Sequence, residues 1–249
     1  MLQNEKIVAE LVGLEPLKTW SLIVTLFGDY EGDSLSGKQL RAFLEPLGIR
    51  PEAIRVALHR LKKNGWIDFE KSGREVIYRL SAHGRTETDA VYQDVYCEDL
   101  KHPFGWRVLL SEEASDVGSV GPMIKIGRQI TLLPREETRV DPNELEVSFA
   151  RSDLPIWFQH RIVPERLLTL AENVDRVAAA LPEPAQLDEP WHLRLLLLHH
   201  WRKMALRQAC WAHIHFVPDG AIARCHKRIT HFLGHTPHLQ ESQTTVQTP

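Results

Sequence analysis

The sequence predicts an α+β protein, because helix-type and strand-type hydrophobic spacings occur in separate blocks along the chain. Three helical segments come first, between residues 17 and 63, and a pair of strands follows between residues 66 and 80. Three short strand-like segments occupy the middle of the chain, and three longer helical segments fill most of its C-terminal part. A chain of 249 residues has the length for two or three small domains.

The bulk composition restricts the class of protein. The formal net charge is -3, so any surface that binds a polyanion must concentrate its basic residues locally. The three cysteines are widely spaced and odd in number, which favours a reducing compartment over a disulfide framework. The N-terminal segment resembles no signal peptide, and the most apolar run, 193–198, is far shorter than the about 20 residues a membrane span needs. We therefore expect a cytoplasmic protein.

Each N-terminal helix carries its own start or stop signal. Residues 17–27 are apolar on nearly all sides, as in a buried helix. Ser36 can cap a second helix, and Pro51 suits the first turn of a third, which Asn64 and Gly65 would end. Apolar residues recur at i, i+3, i+4 and i+7 in both, at Leu40, Phe43, Leu44 and Leu47 and again at Ile54, Ala57, Leu58 and Leu61.

A β-hairpin follows the third helix. Residues 66–69 and 76–80 have strand character, and residues 71–74 form the predicted turn between them. Three helices and a hairpin within about 65 residues are the order of a winged helix-turn-helix. A further helix over 85–97 would complete an N-terminal domain of residues 1–98.

The third helix concentrates basic charge. Arg55, His59 and Lys62 are spaced for one helix face, and five basic residues against one acid give residues 50–63 a balance of +4. A helix fits the DNA major groove, and a basic hairpin tip can touch the backbone. The alternative is an ordinary solvated helix face. The predicted DNA-contacting residues are Arg50, Arg55, His59, Arg60, Lys62, Lys63, Lys71 and Arg74.

The remaining chain divides at a proline-rich stretch. Strands are predicted at 106–110, 129–133 and 144–149, and helices at 164–181, 191–208 and 219–233. Prolines 182, 184 and 190 mark the boundary between a middle domain of residues 99–182 and a helical domain of residues 183–239. The polar tail 240–249 is expected to be disordered.

Four N-terminal stretches stand out, namely LIVTLFGDY at 22–30, LGI at 47–49, IRVALHRLKKNGWI at 54–67 and GREVIYRLSAHGR at 73–85. These stretches resemble the PaaX family of repressors of phenylacetate-degradation genes. The most specific part of the resemblance is the pattern of Arg55, Ala57, Arg60 and Leu61, with Gly65 and Trp66 after it. The resemblance continues more loosely at 106–107 and in LRLLLLHHWRKMALR at 193–207.

The resemblance implies a repressor with a ferredoxin-like middle domain, released from operator DNA by phenylacetyl-CoA or another acyl-CoA thioester. A homodimer is expected, since symmetric operators mirror a two-fold protein. Two stretches depart from the family pattern. Residues 111–121 are polar where an amphipathic helix is expected, and residues 216–220 lack the family's Trp-Pro-Gly.

An acyl-CoA needs cations for its phosphates and an apolar slot for its acyl group. The C-terminal part offers both residue types, although tryptophans commonly serve only as core and basic residues as a helix surface. The predicted effector-binding residues are Trp157, Trp191, His199, Trp201, Arg202 and Lys203.

Two other functions stay open from the sequence. Cys210, His213, His215, Cys225 and His226 could bind zinc in a metal- or redox-responsive regulator, although regular C-x2-C or H-x3-H spacing is absent and residues 213 and 215 suit a strand. An enzyme in the C-terminal half is the third candidate. No nucleophile elbow, phosphate-binding glycine loop or H-E-x-x-H occurs, so neither catalysis nor a resident cofactor is expected.

Overall fold

The computed structural model describes residues 2–98, 106–111, 123–134, 144–147, 155–187 and 190–240. Helices dominate the two ends of this described part, and two small antiparallel sheets lie between them. The α+β prediction is therefore confirmed.

The N-terminal region begins with four helices: α1 (Leu2–Gly13), α2 (Thr19–Asp29), α3 (Gly37–Leu44) and α4 (Pro51–Lys63). A 3-10 turn, Glu45–Leu47, follows α3. The helices α2 to α4 confirm the three that the sequence predicts, whereas α1 was not predicted. Ser36 caps α3 as expected, because its side chain accepts from the Gln39 amide while the Gln39 side chain accepts from the Ser36 amide.

Three strands complete this region: β1 (Leu35–Ser36), β2 (Ile67–Ser72) and β3 (Glu75–Leu80). They form an antiparallel sheet in the order β1-β3-β2. Ser72 lies opposite Glu75, so the turn contains only Gly73 and Arg74, and Gly73 has a φ of 61°. The predicted four-residue turn was wrong, because a glycine in the left-handed region lets the strands pair two residues further.

A glycine also fixes how the hairpin leaves α4. Gly65 has a φ of 73° and donates its amide hydrogen to the Lys62 carbonyl, while Trp66 donates to the Leu61 carbonyl. This pair of bonds is a Schellman motif, which ends a helix and turns the chain sharply. The predicted stop at Asn64 and Gly65 is confirmed, and the hairpin is held beside α4.

The predicted helix over 85–97 is two helices, α5 (Ala82–Ala90) and α6 (Tyr92–Tyr96). Val91 separates them with a φ of −103° and a ψ of 3°, outside the helical region. The break lets the two segments pack on different partners. Ser81 bonds the Gly65 carbonyl at the start of α5, whereas the Val95 carbonyl in α6 accepts from Trp201.

The middle sheet contains β4 (Trp106–Ser111), β5 (Ile124–Lys125), β6 (Ile130–Pro134) and β7 (Glu144–Val147). Its order is β5-β6-β4-β7, and all neighbours are antiparallel. The strands predicted near 106, 129 and 144 are confirmed, and β5 was not predicted. The connecting segments 112–122 and 135–143, with most of the polar stretch at 111–121, lie outside the described residues.

Five helices follow: α7 (Ile156–Ile162), α8 (Glu165–Ala178), α9 (Trp191–Ala205), α10 (Gln208–Phe216) and α11 (Ala221–Gly234), with a 3-10 turn at Pro184–Gln186. The predicted C-terminal helices correspond to α8, α9 and α11. The strand suggested for residues 213 and 215 was wrong, since both lie in α10. That helix is buried on most sides, so its sequence shows no amphipathic period.

Helix α9 lies at the centre of the molecule. It contacts α1, α2 and α6 from the N-terminal region and α8, α10 and α11 from the C-terminal region, and residues 195–198 are fully buried. The chain then returns to the N-terminal region, because Leu239 exchanges backbone hydrogen bonds with Asp29 and Glu31. In the ranges that the structure describes, no helix has the length and apolar character to cross a bilayer. The domain limits and the disorder of the tail stay predictions, and residues 241–249 lie outside the described ranges.

Candidate nucleic-acid interface

Helix α4 is anchored by an apolar face and presents a basic face to solvent. Four apolar side chains of α4 are buried, and α2 packs against the helix. The opposite side and the hairpin tip are polar. All eight residues predicted to contact DNA are exposed, namely Arg50, Arg55, His59, Arg60, Lys62, Lys63, Lys71 and Arg74.

These basic residues form no ion pair with any carboxylate in the described ranges. Other arginines of the same region do form such pairs. Arg41 lies 3.8 Å from Glu45, Arg85 lies 3.3 Å from Asp33, and Arg79 bonds Glu70. A cation without a carboxylate partner can bind a phosphate without first breaking an ion pair, so the exposed face of α4 is available to a polyanion.

Helix geometry divides this face into a centre and two edges. At 100° per residue, Glu52, Val56, His59 and Lys63 point most directly away from the buried side. Lys62 lies on the edge toward the hairpin, with its Nζ 3.9 Å from the centre of the Phe69 ring. On the other edge, the Arg60 guanidinium carbon lies 5.9 Å from the Trp20 ring. These cation–π contacts orient the edge cations, and Arg55 lies on the same side as Lys62.

The hairpin tip presents two basic residues beyond the helix. Lys71 pairs across the hairpin with Val76, and Arg74 lies within the turn itself. The adjacent Glu70 is occupied by Arg79, so its carboxylate is already paired. The tip therefore carries two exposed cations outside α4. These cations could make a second contact with a polyanion that α4 binds.

The predicted effector-binding tryptophans do not meet on one surface. Trp157 in α7 is 64% exposed, whereas Trp191 and Trp201 are buried. The latter two are ten residues apart on α9, about 15 Å along the helix axis. Trp201 donates its indole hydrogen to the Val95 carbonyl at 3.0 Å and lies edge-on to Trp211. Core packing accounts for these contacts.

The other predicted effector residues are His199, which is buried, and two cations that contact the N-terminal region. Burial lowers the pKa of His199 to about 2, so this histidine is neutral and offers no cation to a phosphate. The Lys203 Nζ lies 2.5 Å from Glu15 Oε1. Arg202 lies against α2, where a methyl group on Gly28 would come within 3.3 Å of its Nη1. The predicted cations of α9 therefore already contact α2 and the segment after α1.

A buried ion pair that the sequence analysis missed joins the two halves of the molecule. Asp29 at the end of α2 and Arg194 in α9 have fully buried side chains, with Nε–Oδ2 and Nη2–Oδ1 distances of 2.6 and 2.7 Å. Arg194 Nη1 also donates to the carbonyls of Leu233 and Thr236. The signal was present in the sequence, because Arg194 interrupts the apolar run at 193–198.

Two further groups complete this network. The Tyr96 hydroxyl donates to Asp29 at 3.1 Å, and His238 Nδ1 lies 3.1 Å from the same carboxylate oxygen. Burial raises the pKa of Asp29, but the hydrogen bonds from His238 and Arg194 outweigh burial and leave that pKa lowered. Asp29 also raises the pKa of His238 through their hydrogen bond. The end of α2, α9 and the chain after α11 therefore share one charged centre.

Helix α1 is held to the C-terminal helices by a second set of polar contacts. His200 Nε2 lies 2.9 Å from the Leu11 carbonyl oxygen. Glu10 pairs with Arg176 of α8 at 3.1 Å, and Glu15 pairs with Arg166 at 3.2 Å as well as with Lys203. His200 and Lys203 hold the pKa of Glu15 well below its usual range despite its burial.

Two of the five residues considered for zinc, Cys225 and His226, bond backbone carbonyls instead. Cys225 Sγ donates to the Ala171 carbonyl, and His226 Nε2 bonds the Cys97 carbonyl at 3.0 Å. Burial raises the pKa of Cys210 to about 12, which disfavours the thiolate that metals bind. Within the described part of the chain, no three metal-ligating side chains lie close enough to share an ion. Nothing supports the metal- or redox-responsive alternative.

Comparison with known proteins finds relatives for the region that contains α4. Residues 18–84 match the family model described as PaaX-like protein. The chain is also 34% identical over 116 residues to the transcriptional repressor PaaX of Escherichia coli (strain K12), covering 45% of this chain and 37% of that protein. The chain thus spans little more than a third of the relative it matches. The family resemblance inferred from the sequence is confirmed for the N-terminal region.

Proposed function

Because the chain carries a PaaX-like domain at residues 18–84, we propose that it is a transcriptional repressor and not an enzyme. In this proposal α2 to α4 and the sheet β1-β3-β2 are a winged helix-turn-helix. Helix α4 is the recognition helix, and the β2–β3 hairpin is the wing. The target is double-stranded operator DNA in the cytoplasm.

The observation that carries the proposal is the set of exposed, unpaired basic residues on α4 and the wing tip. Their edge members are held by Trp20 and Phe69, so the face is oriented before DNA arrives. A helix of this width enters the major groove, where Arg55, His59 and Lys62 would reach base edges or phosphates. Lys71 and Arg74 on the wing would contact the backbone and supply affinity without sequence choice.

The repressor is proposed to act as a homodimer on a two-fold operator. Two recognition helices would then enter successive major grooves about 34 Å apart. The middle sheet supports a ferredoxin-like domain, because its order β5-β6-β4-β7 and antiparallel pairing are those of two interleaved β-α-β units.

Release by an acyl-CoA thioester, of phenylacetyl-CoA type, is the proposed control. Arg202 and Lys203 are the cations on α9 that could take its phosphates, and both now contact the N-terminal region. If a phosphate competed with Glu15 for Lys203, effector binding would loosen the hold of α9 on α1 and α2. Coupling of this kind is about 1–3 kcal/mol and reciprocal, so operator DNA would weaken acyl-CoA binding by the same factor.

The proposal is tested by selecting bound sequences from a random duplex library with the purified protein. We expect an enriched two-fold site, and measured affinities that fall when Arg55, Lys62 and Lys63 are changed together to Ala. Arg41→Ala is the matched control, because Arg41 is exposed in the same domain but paired with Glu45. Failure to enrich any site, or equal losses in both variants, would contradict DNA binding through α4.

The effector is tested by calorimetry with a panel of aromatic and aliphatic acyl-CoA thioesters. Free CoA and the free acids serve as controls, since they lack the acyl group or the phosphates. At least one thioester should bind and lower operator affinity, and Lys203→Met should weaken its binding. No heat with any thioester would remove the effector from the proposal and leave DNA binding untouched.

A further inference from the structure

Val56 lies at the centre of the solvent-facing side of α4. Its side chain is 67% exposed, although it is apolar and β-branched. Glu52 and His59, spaced i−4 and i+3, lie on the same side, and Lys63 lies two turns further along. A valine there is less favourable for the helix than alanine, because a β-branched side chain loses rotamer freedom.

The other exposed large apolar side chains at residues 18–84 have a structural explanation that Val56 lacks. Trp20 and Phe69 are 38% and 44% exposed, and each carries a cation of α4 over its ring. Val56 has no π system to bind a cation, and it is more exposed than either aromatic residue. Its position is explained if a partner covers it when the protein acts.

The partner must combine negative charge at its edges with an apolar group at its centre. Arg55, Arg60 and Lys62 surround Val56 on the edges of the same helix and form no ion pair within the described ranges. The major groove offers phosphates at its two rims and, between them, one apolar group, the C5 methyl of thymine. Residues in the N-terminal half of a recognition helix are those that reach base edges.

We propose that Val56 is a specificity-determining residue that packs against the C5 methyl group of a thymine in the operator. This inference rests on the proposed DNA-binding function and adds the base that α4 selects at one position. The valine methyl groups exclude water from the thymine methyl, whereas cytosine carries only a hydrogen on C5.

The test replaces thymine by deoxyuridine at each position of the selected operator in turn. This change removes only the C5 methyl and keeps every hydrogen-bonding group. The wild-type protein should lose roughly fourfold in affinity at one thymine of each half-site, the value of one buried methyl group. Val56→Ala should lose clearly less from the same replacement, because alanine lacks the two γ-methyl groups that would cover the thymine methyl.

Two controls keep the result interpretable. Alanine is a better helix former than valine, so the thermal midpoint of Val56→Ala should be unchanged or higher. Val56→Thr keeps the shape but exchanges a methyl for a hydroxyl, and it should also reduce the preference for thymine over deoxyuridine. The inference is overturned if no thymine is sensitive in the wild type, or if Val56→Ala keeps the full loss. Failure of the library to yield any site would instead contradict DNA binding itself.

Discussion

The basic residues of the N-terminal and C-terminal regions have opposite surroundings. Those on α4 and at the wing tip, Lys71 and Arg74, are exposed and form no ion pairs within the described ranges. Those on α8, α9 and α11 are largely paired across helices. The paired residues are Arg166, Arg176, Arg194, Lys203, Arg224 and Arg228.

The difference shows that identical residue types are left free on the surface in one region and serve internal packing in the other. An exposed, unpaired cation can be removed with little change in folding stability, since surface charges contribute about 0–1 kcal/mol. A buried cation cannot, because its partner would stay buried and uncompensated. Variants in the two regions should therefore separate cleanly into effects on DNA affinity and effects on unfolding.

Arg194→Met should have the largest effect, on stability. It leaves the Asp29 carboxylate buried without its bidentate partner, which costs about 3–5 kcal/mol. Urea unfolding measures the loss, and Arg176→Ala, which removes an exposed pair, should cost at most about 1 kcal/mol. Asp29→Asn combined with Arg194→Met should recover part of the loss. Similar stabilities for the two single variants would contradict the assignment of Arg194 to assembly.

Acid should weaken the C-terminal region through histidines that are buried and neutral. Burial lowers the pKa of His199 to about 2, against about 6.5 in the unfolded chain. Below pH 6.5 this histidine therefore binds a proton in the unfolded chain but not in the folded protein. The free energy of unfolding consequently decreases as the pH is lowered. From pH 7.5 to 5 this histidine should cost about 2 kcal/mol.

His199→Gln removes this contribution, so urea unfolding should show a flatter decline with pH in the variant than in the wild type. His238 supplies a control of opposite sign. Asp29 raises its pKa, so its stabilisation is full below pH 6.5 and is lost as pH rises through the raised value. The loss of stability of His238→Gln relative to the wild type should consequently be largest at acid pH. A decline of the same steepness in His199→Gln and the wild type would contradict a neutral, buried His199.

Arg55→Ala should act on DNA affinity and leave stability unchanged. If Arg55 reads a base, the loss at the selected operator should be about 1–3 kcal/mol and should exceed the loss on random DNA. Fluorescence anisotropy with both duplexes measures it. Equal losses on both would make Arg55 a phosphate contact, and no loss on either would exclude it from the interface.

The wing should show the smallest effect and no sequence preference. Lys71→Ala combined with Arg74→Ala should weaken binding to operator and random duplex by the same factor, because the tip is placed for backbone contact. A loss of affinity for the operator but not for the random duplex would show that the wing reads bases instead.

Local signals explain why the N-terminal region was predictable. Ser36, Pro51 and Gly65 each act within a few residues of their own position, through a cap, a fixed φ and a left-handed φ. The exposed face of α4 followed from the helical period alone. The family resemblance added the expectation of a repressor, which periodicity cannot supply.

The contacts between the two halves were not predictable, because they depend on distant pairs. Asp29 and Arg194 are 165 residues apart, and nothing near either one identifies its partner. The break at Val91 and the all-round burial of α10 likewise depend on packing partners. The contacts of Arg202 with α2 and of Lys203 with Glu15 likewise follow from tertiary packing. The sequence alone identifies these two residues only as cations.

The salt dependence of DNA affinity tests the central claim most directly. Each phosphate contact contributes a slope of about 0.9 in a plot of log affinity against log salt concentration. Joint replacement of Lys62, Lys63, Lys71 and Arg74 by Ala should reduce the slope by up to about 3.6. Replacing the paired Arg41 and Arg79 by Ala should leave it unchanged. An unaltered slope in the first variant, or an equal reduction in both, would contradict the assignment of the unpaired cations to DNA.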